Sequence, residues 1–201
     1  MKEKIIEKAS EMFISLGFKS VTMDDIAAEM GISKKTIYTH FNNKETIIAV
    51  VTDAIFEEIS RDINCICDLE KNPIEETYEI KKRVMEHMCN EKESPSHQLQ
   101  KYYPNIYQNI KNRQFSLMQE CVVKNLHRGI EQQLFRENID VQFVARIYFN
   151  GVTGIKDSNL FPSSMFEGKE LYETYLEYHL RGIVTPKGRQ ILNQLIHSNQ
   201  D

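Results

Sequence analysis

The chain has 201 residues, 41% of them hydrophobic and 27% charged, and a formal net charge of −4. That composition excludes a disordered chain, and no apolar run approaches the roughly 20 residues that a membrane-spanning helix needs. The opening Met1-Lys2-Glu3-Lys4 leads directly into a charged helical pattern with no apolar leader core, so a cytoplasmic location with no membrane partner is expected.

Sparse glycine and proline (8 and 5) and helical periodicity nearly from end to end predict an all-α chain. Ile5, Ile6, Ala9, Met12, Phe13 and Leu16 mark a first helix, with Gly17 as a left-handed stop. Thr22 reads as the N-cap of a short second helix, with Asp24 and Asp25 in its first turn, and Gly31 ends it. Ser33 caps a third short helix reaching about Phe41, and Asn42-Asn43 breaks the chain again. A long helix follows from Lys44 to near Asp68, with Ile47, Ile48, Val51, Ile55, Ile59 and Ile63 on one face.

Asn72-Pro73 followed by Glu75 and Glu76 is a strong helix start. The polar stretch from Glu91 to His97 reads as a loop, and Leu99 to Tyr103 as a short helix checked by Pro104. The next long helix carries Ile106, Tyr107, Ile110, Leu117, Met118, Cys121, Val122, Leu126 and Leu134 inward. Another helix runs from about Asp140 to Gly154, a loop spans 158–168, and helices follow at about Lys169 to Val184 and after Thr185-Pro186. The four cysteines (Cys65, Cys67, Cys89 and Cys121) lie inside helical patterns, and Cys65-x-Cys67 lacks the spacing of a zinc or thioredoxin-type site. They read as small buried or half-buried residues, so no metal and no cofactor is expected.

Residues 22–41, TMDDIAAEMGISKKTIYTHF, meet the requirements of a helix-turn-helix one by one. Ile26, Ala27 and Met30 face inward, and Ala27 is small where the next helix crosses closely. Gly31 supplies the positive φ of the turn. Ile37 and Phe41 are buried, which leaves Lys34, Lys35, Thr36, Thr39 and His40 outward. The negative net charge argues against a polyanionic partner only as an average. Residues 1–50 hold seven lysines and seven acids, leaving 18 basic against 22 acidic residues in 51–201. Residues 30–44 contain Lys34, Lys35 and Lys44 and no acid, which suits the DNA major groove.

The stretch from Lys4 to about Ile48 resembles the DNA-binding domain of the tetracycline-repressor (TetR) family of bacterial transcriptional regulators. The resemblance rests on Ala9-x-x-Met12-Phe13 and on Gly17-Phe18-x-x-Val21-Thr22-Met23-x-x-Ile26-Ala27. It continues through Gly31-Ile32-Ser33-Lys34-x-Thr36-Ile37-Tyr38-x-His40-Phe41-x-x-Lys44-Glu45. It implies a three-helix DNA-binding domain over residues 1–48, joined to a larger helical ligand-binding and dimerisation domain over 49–201. The function implied is regulation of transcription, with no catalytic residue: a homodimer on a palindromic double-stranded operator, repressing until a small molecule releases it. By position, Thr22, Tyr38 and Lys44 are implied as phosphate contacts. Ser33, Lys34, Lys35 and Thr36, with Thr39 and His40 beside them, are implied as the reading surface.

An apolar or amphipathic effector is expected within residues 74–165, against Met85, Met88, Tyr102, Tyr103, Tyr107, Phe115, Met118 and Phe149, with Asn150 and His87 as polar orienting groups. By the same resemblance the last two long helices form the dimer interface, through Phe143, Ile147, Phe149, Gly151 and Gly154 on one and Tyr172, Tyr175, Tyr178 and His179 on the other. Three alternatives remain open on the residues alone. One is a regulator that answers to no ligand or to a protein partner. Another is a small all-α enzyme, for which no H-E-x-x-H, G-x-S-x-G or Walker A signature is present. The last is redox sensing through the cysteines.

Overall fold

The computed structural model describes residues 1–88, 95–157 and 159–198, and among these the chain is built of ten helices. None of the helices is long and apolar enough to cross a membrane. Packing divides the chain into two compact units: Met1–Arg61 with Glu86–Arg113, and Asp62–Met85 with Gln114–Asp201. This boundary differs from the division expected between residues 48 and 49, because two later helical segments pack with the N-terminal ones.

The first unit begins with α1 (Lys2–Leu16), which buries Ile5, Ala9 and Phe13. Gly17 follows at φ +90 and ψ 148, a positive φ, though not the left-handed helical conformation expected of the stop. α2 (Met23–Glu29) starts at a reciprocal capping box. The Asp25 N–H donates to Thr22 Oγ1 (3.2 Å), while the Thr22 N–H donates to Asp25 Oδ2 (2.8 Å). Gly31 turns the chain at φ +63, and Ser33 Oγ accepts the Thr36 N–H (3.1 Å) to open α3 (Lys34–Tyr38). α3 is shorter than expected: Thr39, its C-cap, keeps helical dihedrals, and the chain closes in a tight turn at Thr39–His40, with the His40 N–H donating to the Ile37 carbonyl (2.9 Å), while still burying Phe41. Asn43 Oδ1 accepts the Thr46 N–H (2.8 Å) and so caps α4 (Lys44–Asp68). The residue that read as a breaker is the start signal of the next helix.

The first-unit core joins Phe13, Ile26, Ile37, Phe41 and Ile47 with Leu99. Leu99 lies on α6 (Pro95–Tyr102), which starts inside the stretch expected to be a loop, since proline is well tolerated at a helix's first position. Gln98 of α6 lies against the α1–α2 turn, with Oε1 accepting the Lys19 N–H (3.0 Å). A Cβ on Gly17 would fall 2.5 Å from Gln98 Nε2 and displace that flexible amide, while the φ of +90 is what favours glycine here. The first part of α7 (Pro104–Glu131) is fastened to α4 by Arg113, which pairs with Asp53 (2.6 Å) and Glu57 and lies 4.2 Å from the Phe56 ring.

In the second unit, α5 (Pro73–Met88) begins where Asn72 Oδ1 accepts the Ile74 N–H (2.9 Å). Its first turn buries Glu76, only 1% exposed, between Asn125 Nδ2 (2.8 Å) and Arg128 Nη1 (2.9 Å) of α7. α7 stops at Glu131, earlier than its apolar pattern implied. Gln133 takes φ +58, and the chain turns so that Leu134 and Phe135 are buried and Phe135 bridges to Val184. Gly129 makes this possible, since a Cβ there would sit 2.0 Å from the Phe135 ring.

Asp140 caps α8 (Val141–Gly154) through the Phe143 N–H (3.0 Å). α8 packs on α9 (Gly168–Ile183), and Thr185 Oγ1 accepts the Gly188 N–H (3.1 Å) at the start of α10 (Pro186–Ser198). Between α8 and α9, Tyr175 lies so close to Gly151 that a Cβ there would meet its hydroxyl at 2.1 Å. Tyr148 stacks with Tyr175 and lies 4.8 Å from the His179 ring.

Burial in this aromatic cluster lowers the His179 pKa from 6.5 to about 4. The folded state therefore holds a neutral ring where the unfolded chain would bind a proton. Stability from this site is complete above about 6.5 and is lost as pH falls through that value toward about 4. Urea unfolding at pH about 7 and about 5 should show a loss for the wild type that is smaller in His179→Phe. An equal loss in both proteins would refute this reading.

Candidate DNA interface

The outward side of α2, α3 and the start of α4 is built from short, strongly capped elements, and caps of this kind fix where each side chain emerges. Thr22 has both of its donors engaged. Its N–H and its hydroxyl each lie 2.8 Å from Asp25 Oδ2, so a phosphate drawing on them would compete with that carboxylate. The hydrogen bonds from Thr22 hold the Asp25 pKa below the usual carboxylate value of 3.8. Replacing Thr22 by Ala should lower stability by about 1 kcal/mol, with Ser restoring most of it. The urea midpoint measures this, and a midpoint unchanged in Thr22→Ala would mean that the cap contributes nothing.

On α3 the hydroxyls of Ser33 and Thr36 lie 2.8 Å apart, and Thr39 Oγ1 donates to the Thr36 carbonyl (2.6 Å). Tyr38 is 44% exposed, and Lys35 and His40 are exposed with no side-chain hydrogen bond or ion pair among the described residues. Lys34 differs, because its Nζ pairs with Asp24 Oδ2 at 2.7 Å, which raises its pKa. Lys44 is half-buried and donates from Nζ to the Lys19 carbonyl (3.0 Å). Burial lowers its pKa, with the nearby Asp25 carboxylate opposing.

The window that contains only basic residues in sequence is therefore not free of acids in space. Asp24 pairs with Lys34 and Lys44 donates to the Lys19 carbonyl, which leaves Lys35 as the lysine of residues 30–44 whose side chain has no partner among the described residues. Sequence reasoning also missed the supports: Asn43 as the α4 cap, the Lys19 carbonyl that fixes Lys44, and the α6 side chains Gln98 and Tyr102. Tyr102 Oη lies 3.2 Å from Lys19 Nζ, so both ends of Lys19 are held from α6. The glycine at 17 was the one local hint of a close neighbour; nothing in the sequence names Gln98 as that neighbour.

The residues expected to line an effector pocket fall in both units. Tyr103 and Tyr107 pack against the first-unit core, and Met85 and Met118 against the second-unit core. Phe115 and Phe149 meet edge to face at 5.1 Å in the second unit, and Asn150 is exposed. The side chains of His87 and Met88 lie outside the described residues. Close by in sequence, Gln119 donates from Nε2 to Gln142 Oε1 (3.0 Å) while its own Oε1 is buried with no partner. Of the expected dimer residues, Phe143 (62%), Ile147 (45%) and Tyr178 (77%) are exposed. Tyr172 is buried in the second-unit core, and Tyr175 and His179 belong to the aromatic cluster with Tyr148.

Comparison with known proteins finds a family signature over the segment that carries this geometry. Residues 5–51 match the signature of bacterial regulatory proteins, tetR family. Over 47 residues the chain is 43% identical to the biofilm operon icaADBC negative transcriptional regulator IcaR of Staphylococcus epidermidis, covering 23% of this chain and 25% of that protein. The curated relatives it matches are thus spanned over only a quarter to a third of their length. A TetR/AcrR-family regulator from Thermobifida fusca superposes with TM-score 0.70 at 17% identity, over 90% of this chain and 97% of that one. SmeT, the repressor of the Stenotrophomonas maltophilia efflux pump SmeDEF, superposes with TM-score 0.65 at 17% identity, covering 92% and 91%. The whole-chain likeness is one of fold, and the sequence match lies where the helix-turn-helix does. Residues 5–51 thus carry the signature of the tetR family of bacterial regulatory proteins, and beyond them the likeness to such regulators is one of fold.

Proposed function

We propose that the protein is a DNA-binding transcriptional repressor that grips a palindromic double-stranded operator as a homodimer and is released by a small molecule. The observation that carries this reading is the exposed α3 surface. Lys35, Thr36, Tyr38, Thr39 and His40 carry no carboxylate and stand on a turn capped at Thr22, Ser33 and Asn43. A helix held this way enters a major groove with its side chains already aimed, and Lys44 flanks it as a phosphate contact. Repression is favoured by the likeness of a 47-residue stretch to a negative regulator. Residues 49–201 supply the ligand-binding and dimerisation body.

A dimer gains the second half-site that one short helix needs for useful affinity. The exposed apolar side chains of α8 and α9 (Phe143, Ile147 and Tyr178) support an interface there, with Gly151, Tyr172, Tyr175 and His179 shaping it from below. Release by ligand has two supports. The buried Gln119 Oε1, unpartnered among the described residues and one turn along α7 from Phe115, suits an amphipathic ligand with one donor group. A neighbour of the same fold, SmeT, has a solved complex with triclosan. Within the first unit, helix α6 offers a lever on the DNA-contacting face, since Gln98 and Tyr102 hold the turn whose Lys19 carbonyl fixes Lys44. A ligand acts as releaser by binding the DNA-free state more tightly and so shifting the population away from the DNA-competent one.

Selection of bound duplexes from random sequence tests the reading. The expected result is a two-fold symmetric site with half-sites about one helical turn or a multiple apart. Recovery of no symmetric sequence by a folded, concentrated protein would overturn it.

A further inference from the structure

Lys19, in the turn between α1 and α2, and Lys101, in the last turn of α6, converge on one aromatic side chain. Lys19 Nζ donates to Tyr102 Oη (3.2 Å) and lies 4.7 Å from the centroid of the Tyr102 ring. Lys101 Nζ lies 5.5 Å from the same centroid. Tyr102 is 39% exposed, and both lysines are exposed. Tyr102 stands 83 residues beyond Lys19, so no pattern in the sequence announces the group.

The group is short of both negative charge and acceptors. Among the described residues no carboxylate pairs with Lys19 or Lys101, in contrast to Lys34, which Asp24 engages at 2.7 Å. The ring face attracts both cations, but together they carry more N–H donors than one phenol oxygen accepts. An anion with several oxygens, as in a phosphodiester, supplies the missing charge and acceptors at once. Position selects the source of that anion. The Lys19 carbonyl receives Lys44 Nζ at 3.0 Å, and Lys19 stands three residues ahead of Thr22. The backbone that carries this cation therefore borders both of the phosphate contacts expected at the edge of the helix-turn-helix. Gln98 Oε1, accepting the Lys19 N–H at 3.0 Å, holds that backbone from the α6 side.

We propose that Lys19 and Lys101, aligned on Tyr102, form a second binding site for the DNA phosphate backbone, supplied by α6 and the α1–α2 turn outside the helix-turn-helix. The site rests on the reading of the protein as a DNA-binding regulator and adds to it a contact from a helix far along the chain. It reads no base, so it adds affinity on every sequence and releases further counterions from each half-site. Because Lys101 belongs to α6, the duplex also gains a direct hold on that helix. Bound DNA then favours the α6 position in which Lys101 meets the ring, and displacing α6 costs this contact.

The experiment titrates the full chain into a labelled, mixed-sequence duplex of about 40 base pairs and follows anisotropy across a salt series. Lys101→Gln is expected to weaken binding several-fold and to lower the slope of log affinity against log salt by about one for each protomer bound. Lys19→Gln does the same, and Lys101→Arg restores the wild-type slope. Lys82→Gln, which removes one exposed charge from α5, leaves the slope unchanged. An unchanged slope in folded Lys101→Gln, or an equal loss in Lys82→Gln, overturns the site. If Lys44→Ala still lowers the slope in that case, the DNA-binding reading stands without it. Wild-type protein that fails to bind the duplex at low salt removes that reading and the site together. Lysine acetylation of the wild-type complex needs no variant. The duplex should shield Lys19 and Lys101 and leave Lys82 as reactive as in the free protein; equal labelling of Lys101 in both states overturns the site.

Discussion

Lys44→Ala weakens DNA binding about tenfold on every sequence and lowers the slope of log affinity against log salt by about one for each protomer bound. The reason is the preorganisation of this ammonium. It is half-buried, donates to the Lys19 carbonyl at 3.0 Å and carries a pKa lowered by burial, so it meets a phosphate with little side-chain entropy left to lose. A phosphate contact reads no base, which is why the loss is uniform across sequences.

Two companion variants sharpen the test. Lys34→Ala should lose less, because Lys34 has to leave Asp24 before it can meet DNA. Asp24→Asn should strengthen binding several-fold by freeing Lys34 and removing a negative charge beside the groove. Fluorescence anisotropy across a salt series measures all three. Unchanged affinity and slope in folded Lys44→Ala would remove it from the interface, and weakened binding by Asp24→Asn would refute the account of Lys34.

Glu76→Ala is expected to destabilise the protein by about 3 kcal/mol, the largest effect we expect from any single substitution. The carboxylate is almost fully buried and receives Asn125 Nδ2 at 2.8 Å and Arg128 Nη1 at 2.9 Å. Removing it leaves a guanidinium partly out of water without its counter-charge and one amide hydrogen bond unmade. Glu76→Gln keeps the shape and one acceptor, so it should fall between the wild type and Ala. Urea unfolding read by circular dichroism gives the comparison, and a midpoint for Glu76→Ala within error of the wild type would show the network to be dispensable.

The helix starts were readable because capping is local. Thr22, Ser33, Asn72-Pro73 and Asp140 each act on an amide two to three residues ahead, and that spacing is visible in any sequence. Where the reading failed, the deciding contact was distant or the local signal was ambiguous. The Glu91–His97 stretch looked like a loop because it is polar and holds a proline, yet Pro95 is the first residue of α6. The apolar pattern of α7 ran on through Leu134, but Gly129 admits the Phe135 ring and the helix ends first. The domain boundary moved for the same reason, since Leu99 belongs to the core of α1–α4.

The negative overall charge first argued against DNA, and sorting it along the chain yielded a basic window at residues 30–44. By itself the sequence determined that window, the helix-turn-helix and the likeness of residues 5–51 to the tetR family signature, because these depend on residue identity at short, regular spacing. Only the tertiary structure decided which cations stay free. Asp24 closes on Lys34 from ten residues away, Asp25 sits by Lys44, and Lys35 is left unpaired on the exposed face. It alone placed Gln98 on Gly17. Coulomb attraction depends on distance in space, and a linear charge count carries no such distance.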